Sequence, residues 1–205
     1  MSQLLPPSLP AFVARKKGLS VGAWIAIAAG IGILLLVGIG VLAVAGIVGG
    51  RSVVKKAKIL RARTTAISLE MAVDQFYREY GVLPSSAKLV SDTVSETSGP
   101  EGQQFLSILM GKESGPIFQN PKHLPFFSGK PGTRGKNGLI DLPTGLSELI
   151  DPWGNPYHII FDGDGDETLT PPADSGSPAV LKGCRVRVYS LGPNGTGAVD
   201  AIRTW

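Results

Sequence analysis

The chain has 205 residues, 43% hydrophobic and 18% charged, with 27 Gly, 16 Pro, one Cys and a formal net charge of +4. One cysteine excludes an intrachain disulfide, and neither His123 nor His158 lies in a recognisable motif that could activate Cys184 as a nucleophile. The Gly and Pro content, heaviest in the second half, predicts a single domain with much turn and loop.

Residues 1–18 are Pro-rich, then basic, and read as an N-terminal tail. Residues 19–50 contain no Asp, Glu, Lys, Arg, His, Asn or Gln. As a helix, about 32 residues reach roughly 48 Å, more than the ~30 Å hydrocarbon core of a bilayer. The segment reads as an uncleaved transmembrane helix, too long for the apolar region of a secretory signal. Small pairs four residues apart, such as Gly18/Gly22, Ala26/Gly30 and Ala45/Gly49, suit close helix packing in lipid. Arg15, Lys16 and Lys17 precede the run, and Arg51, Lys55, Lys56, Lys58, Arg61 and Arg63 follow it. Anchoring to anionic membrane lipid explains this flanking charge. No RNA- or DNA-binding motif accompanies it, so nucleic acid is not an expected partner.

Residues 51–205 read as one domain. From Val53 to Tyr80 the pattern is helical, with Ala66, Leu69, Val73, Phe76, Tyr77 and Tyr80 on one stripe and Arg63, Glu70, Asp74 and Arg78 off it. Gly81 supplies a left-handed cap and Pro84 prevents resumption. Residues 85–150 read as irregular, with short helical pieces at Glu101–Met110 and Gly145–Ile150 and a flexible loop over Gly129–Gly138. That loop lacks the G-x-x-x-x-G-K-[ST] order of a phosphate cradle.

The last third reads as β: one strand over Tyr157–Phe161, another over Leu181–Ser190, with Cys184 a buried structural thiol. Between the strands, Asp162, Asp164 and Asp166 alternate with glycine. Oxygen ligands at that spacing suit Ca²⁺, but position six is Glu167 and position twelve Ala173, so the EF-hand pattern is not met. A solvated Asp-Gly turn is the other reading. Asp151-Pro152-Trp153-Gly154-Asn155-Pro156-Tyr157 reads as a structural corner, with Trp153 and Tyr157 offering large surfaces to bury on a helix. At the end of the chain, Ile202 and Trp205 form an apolar pair able to pin a Gly-rich loop.

Three strings, Phe76–Pro84, Asp151–Tyr157 and Tyr189–Trp205, together resemble the type IV pilin-like proteins, most closely the major pseudopilin G class of type II secretion systems. The resemblance covers residues 53–84 and about 150–205. It implies an α+β fold: a long N-terminal helix, transmembrane in its first half and amphipathic in its second, packed on a small antiparallel sheet. It further implies a structural protein rather than an enzyme, with no catalytic residues and no small-molecule substrate. The domain would face the periplasm from the bacterial inner membrane, and other pilin-like subunits or secretion-apparatus proteins would pack on the N-terminal helix. The excess of Lys and Arg after the span argues for the opposite orientation.

Two departures stand out. The family carries a leader ending in Gly and a glutamate five residues into the mature chain; Lys17-Gly18 resembles the leader end, but the fifth position is Ala23. A membrane-tethered periplasmic binding or sensor module that reuses the fold without forming filaments is therefore the alternative function. The family also binds Ca²⁺ in its C-terminal loop, which by motif position implicates Asn194, Asp200 and the Leu191 carbonyl. Here Asn194 stands where the first aspartate would be, and Ala201 replaces the second of an Asp-Asp pair.

Overall fold

The structure, a computed structural model, describes residues 52–85, 89–114, 116 and 118–205. The chain divides after Arg51, and the described residues belong to the second unit, Ser52–Trp205. The transmembrane expectation for 19–50 and the tail 1–18 lie outside the described residues. Among those that are described, no helix is long and apolar enough to cross a membrane.

The domain is α+β. Its first element, α1, is helical over 52–80. The expected stripe faces inward: Ala66, Leu69, Val73 and Phe76 are fully buried, joined by Ala62 and Ala72, while Arg63 and Arg78 are exposed. Burying such a stripe contributes about 1.5–3 kcal/mol for each large side chain. Helix α1 ends as expected, with Gly81 at φ +71 and its N–H donating to the Tyr77 carbonyl at 2.7 Å.

The stripe packs on an antiparallel sheet of order β1-β4-β7-β8, built from Thr93–Glu96, Tyr157–Phe161, Val186–Ser190 and Ile202–Arg203. Strand β4 is central and buried along its whole length, with Tyr157 opposite Ser190 and Phe161 opposite Val186. A second helix, α2 (Gly99–Leu109), adds Phe105, Leu106, Ile108 and Leu109 to the same core. Phe76, Tyr80 and Phe126 form a ring cluster with centroids 4.8 to 5.9 Å apart, in the range where tilted aromatic pairs attract.

Several segments differ from the sequence reading. Residues 147–150 are not helical: Ser147–Ile150 is strand β3, paired antiparallel with β2 (Gly138–Asp141). Its Ser147 and Leu149 turn inward in strand alternation, and the period of two prevails over a short helical pattern once β2 offers its edge. Strand β1 likewise falls in the stretch read as irregular. The loop at 129–138 is tied down: Thr133 and Lys136 exchange backbone hydrogen bonds at 2.8 and 3.2 Å, and the Gly132 N–H donates to the Leu139 carbonyl at 2.7 Å. The strand expected over Leu181–Ser190 is two strands, β6 (Leu181–Lys182), paired with β5 (Thr168–Leu169), and β7. Gly183 divides them at φ +69, a left-handed conformation that turns the chain from one sheet into the next.

Thr97, fully buried between β1 and α2, knits these layers together. Its hydroxyl donates to the Leu149 carbonyl at 2.6 Å and accepts the Tyr157 N–H at 2.8 Å.

Candidate functional site

The Asp151–Tyr157 string is a corner, and its centre is the Asp151 side chain. Asp151 is fully buried. Its Oδ1 accepts the backbone N–H groups of Trp153, Gly154 and Asn155 at 2.8, 2.7 and 2.8 Å. Its Oδ2 accepts the Ser190 hydroxyl at 2.6 Å. A carboxylate surrounded by donors in this way supports a sharp turn that the backbone alone would leave with orphaned N–H groups. Pro156 leads into β4, and Tyr157 joins the core cluster of the α1 stripe with its phenol beside Thr65. Burial pushes that phenol well above its ordinary pKa. Trp153 departs from expectation: it is only half-buried and lies outside the main core. The tight turn aims the residue after Pro152 outward, and Tyr157 fills the place on the helix.

The corner is locked to the loop that carries the first set of expected calcium ligands. Asn155 Nδ2 donates to the Gly192 carbonyl at 2.9 Å, and the Gly192 N–H donates to the Ser190 hydroxyl at 3.0 Å. A Cβ on Gly192 would lie 2.1 Å from the Asp200 carbonyl oxygen, and its φ is +78, so glycine alone fits. The loop thus brings Asn194 to Asp200, where the Asn194 amide donates to Asp200 Oδ2. The Leu191 carbonyl accepts the Gly197 N–H at 3.2 Å. These three residues share one loop, but they offer a single carboxylate and part of its capacity is taken by protein donors. That is a lean set for an ion that takes six to eight oxygens.

The second expected set lies at the other end of β4, directly after Phe161. Asp162 is buried, and its two oxygens accept the N–H groups of Gly165 and Glu167 at 2.8 and 2.9 Å. Asp166 accepts the Thr168 N–H at 2.6 Å. These bonds make the segment a self-capped Asp turn. Asp164 and Asp162 converge with Asp92, a residue not anticipated, so that oxygens of the three carboxylates lie within 4.8 Å of one another; Asp166 is not in that group. Asp92 comes from the segment before β1, and only the β1–β4 pairing brings it here, so no local sequence signal could have revealed it.

His158 is buried on β4, stacked on Tyr189 at 4.9 Å between centroids, with Nδ1 3.9 Å from Glu96. Burial lowers its pKa against the opposing pull of Glu96, Asp174 and Asp151. Cys184 is buried, and burial raises its thiol pKa, which suits a structural role.

A groove of about 500 Å³ opens between residues 60–68 of α1 and the segments 127–131 and 137–138. It carries Arg61 and Lys130 and no carboxylate among its described lining residues.

No protein-family model, no curated protein and no solved structure matches the chain.

Proposed function

We propose that the protein is a membrane-anchored, pseudopilin-like structural component of a type II secretion or type IV pilus-like apparatus, with its domain on the periplasmic face of the inner membrane. One observation carries the reading: the amphipathic helix α1 lays its stripe on an antiparallel sheet whose central strand is entered through the Asp151 corner, and that corner is bonded to the loop after Ser190. The three strings that carry the family resemblance are thus parts of one bonded assembly. Assembly would run through the apolar segment 19–50.

Single cysteines placed through 19–50 in a Cys184→Ser background test this. Oxidative cross-linking in membranes should give a ladder of oligomers. A chain that yields monomer and dimer alone belongs to the second reading, a tethered binding or sensor module. That reading is favoured by Ala23, which offers no carboxylate to pair with a neighbour's terminal amine. Mass spectrometry of the mature N-terminus gives an independent check, since assembly-type processing predicts cleavage after Gly18.

A further inference from the structure

We propose that the groove beside α1 receives the acidic turn 162–167 of a second copy of this chain, so that copies join head to tail along α1. The inference rests on the assembly reading above and assigns it a surface on the folded domain.

The two surfaces carry uncompensated charge of opposite sign. The groove sets Arg61 and Lys130 beside the polar side chains of Thr64 and Ser68, over a floor to which Phe127 and Leu149 add apolar surface. Neither cation is in an ion pair with a described residue. The helix leading to the groove adds Lys55, Lys56, Lys58 and Arg63, and its first acid is Glu70. On the turn, Asp164 and Asp166 are exposed and bonded only to backbone N–H groups. Two nearby cations are engaged, Arg185 with Glu167 and Arg187 with Glu70, while Lys182, opposite Thr168 in the β5–β6 pair, is in no ion pair with a described residue and leaves the two exposed carboxylates in excess. Asp164 also crowds Asp92 and Asp162, and like charges that close raise the free energy of the isolated turn. A partner's cations would relieve it. The tip is slender, since Gly163 and Gly165 add no side chains between the carboxylates.

The surfaces also lie at opposite ends of the domain. Three contacts order the length of α1 against the sheet: Thr65 with Tyr157, Glu70 with Arg187, and Tyr77 with Arg185. The groove borders residues 60–68. The turn lies beside Arg185, whose carbonyl accepts the Asp162 N–H at 2.9 Å. From Arg61 to Tyr77 is roughly 24 Å along a helix. A surface at one end that complements a surface at the other makes a heterologous contact, which propagates instead of closing as a dimer.

The test uses the full chain in membranes. Equal amounts of ¹⁴N- and ¹⁵N-labelled protein are mixed and treated with a zero-length carbodiimide, which joins a carboxylate to an amine in direct contact. Mixed-isotope peptides linking Lys130 to Asp164 or Asp166 are expected, with their yield falling about tenfold in ~1 M salt as the charges are screened. Asp164→Lys with Asp166→Lys should abolish association through this surface. A mixture of that variant with Arg61→Glu/Lys130→Glu protein should restore mixed-isotope links in the reversed sense, which loss of folding in either variant could not do. Links confined to one isotope overturn the proposal, as does an Arg61→Glu/Lys130→Glu variant that keeps its links elsewhere and loses only binding to anionic vesicles, which would assign the groove to lipid. The cross-linking ladder is read in parallel samples of the chains carrying single cysteines in 19–50. A ladder without Lys130 links sinks the groove alone, and absence of any ladder in those chains without charge substitutions sinks the assembly reading.

Discussion

At the scale of single residues, Asp151 outweighs every candidate ligand. It is buried with at least four hydrogen bonds to one carboxylate. Asp151→Ala strands the Trp153 and Asn155 N–H groups and the Ser190 hydroxyl, leaves the Gly154 N–H only its 3.3 Å bond to the residue 151 carbonyl, and should cost about 3 kcal/mol or more. Asp151→Asn keeps Oδ1 for the backbone and lets the Ser190 hydroxyl turn to accept from the new amide, so about 1–2 kcal/mol is expected. Urea unfolding of both variants checks the order, and an equal loss would remove the carboxylate from the centre of the corner. The sequence showed the corner but not its centre. Nothing local to Asp151-Pro152 predicts Ser190 as a partner, because that contact depends on how β4 and β7 align. His158 makes a second prediction. Its folded pKa lies below the ordinary value of about 6.5. Above that value the ring is neutral in both states. As the pH falls through about 6.5 the unfolded chain takes up the proton first, and the fold loses stability until the folded value is passed. His158→Phe keeps a ring against Tyr189 and should flatten the dependence, read as the change in urea midpoint between about pH 8 and about pH 5.

At the scale of elements, α1 was legible because its pattern is long and periodic. Phe76 is fully buried and Ile67, on the same helix, is 40% exposed. Phe76→Ala should therefore cost about 3–5 kcal/mol and Ile67→Ala close to nothing, measured by chemical denaturation. Comparable losses would mean that the stripe does not carry the packing. The short strands were less legible. Ser147–Ile150 has four residues, too few for its period to distinguish helix from strand, and its pairing with β2 decided the outcome. Gly183 and Gly192 both hold positive φ, but only Gly192 faces backbone at close range. Gly183→Ala should cost about 1–2 kcal/mol from conformation alone. Gly192→Ala should cost more, because the Asp200 carbonyl must move and the Asn155 bond with it. Thermal unfolding of the two variants tests that ranking.

At the scale of the whole molecule, the two groups of expected calcium ligands prove to be remote from each other: Tyr157 and Phe161, the ends of β4, separate them. Each was visible in sequence as a set of oxygen-bearing residues. Their separation, and the recruitment of Asp92 to one of them, are properties of strand order that no local spacing encodes. The same holds for charge. A net of +4 says little, whereas the fold sorts the imbalance into a basic stretch at the start of α1 and an acidic turn after β4.

The bond between Asp151 and Ser190 reaches beyond stability. Central strand β4 has β1 on one side and β7 on the other, and the corner that introduces it is completed by side chains from position 190 onward. A nascent chain halted before that point has its helix and half a sheet but lacks the neighbour that covers β4 and the hydroxyl that seats the turn. Such an intermediate keeps an unpaired apolar strand edge, the kind of surface that aggregates. The sheet and its corner can be completed only once residues 190 and beyond have been made. Until then the domain depends on whatever shelters the unfinished polypeptide.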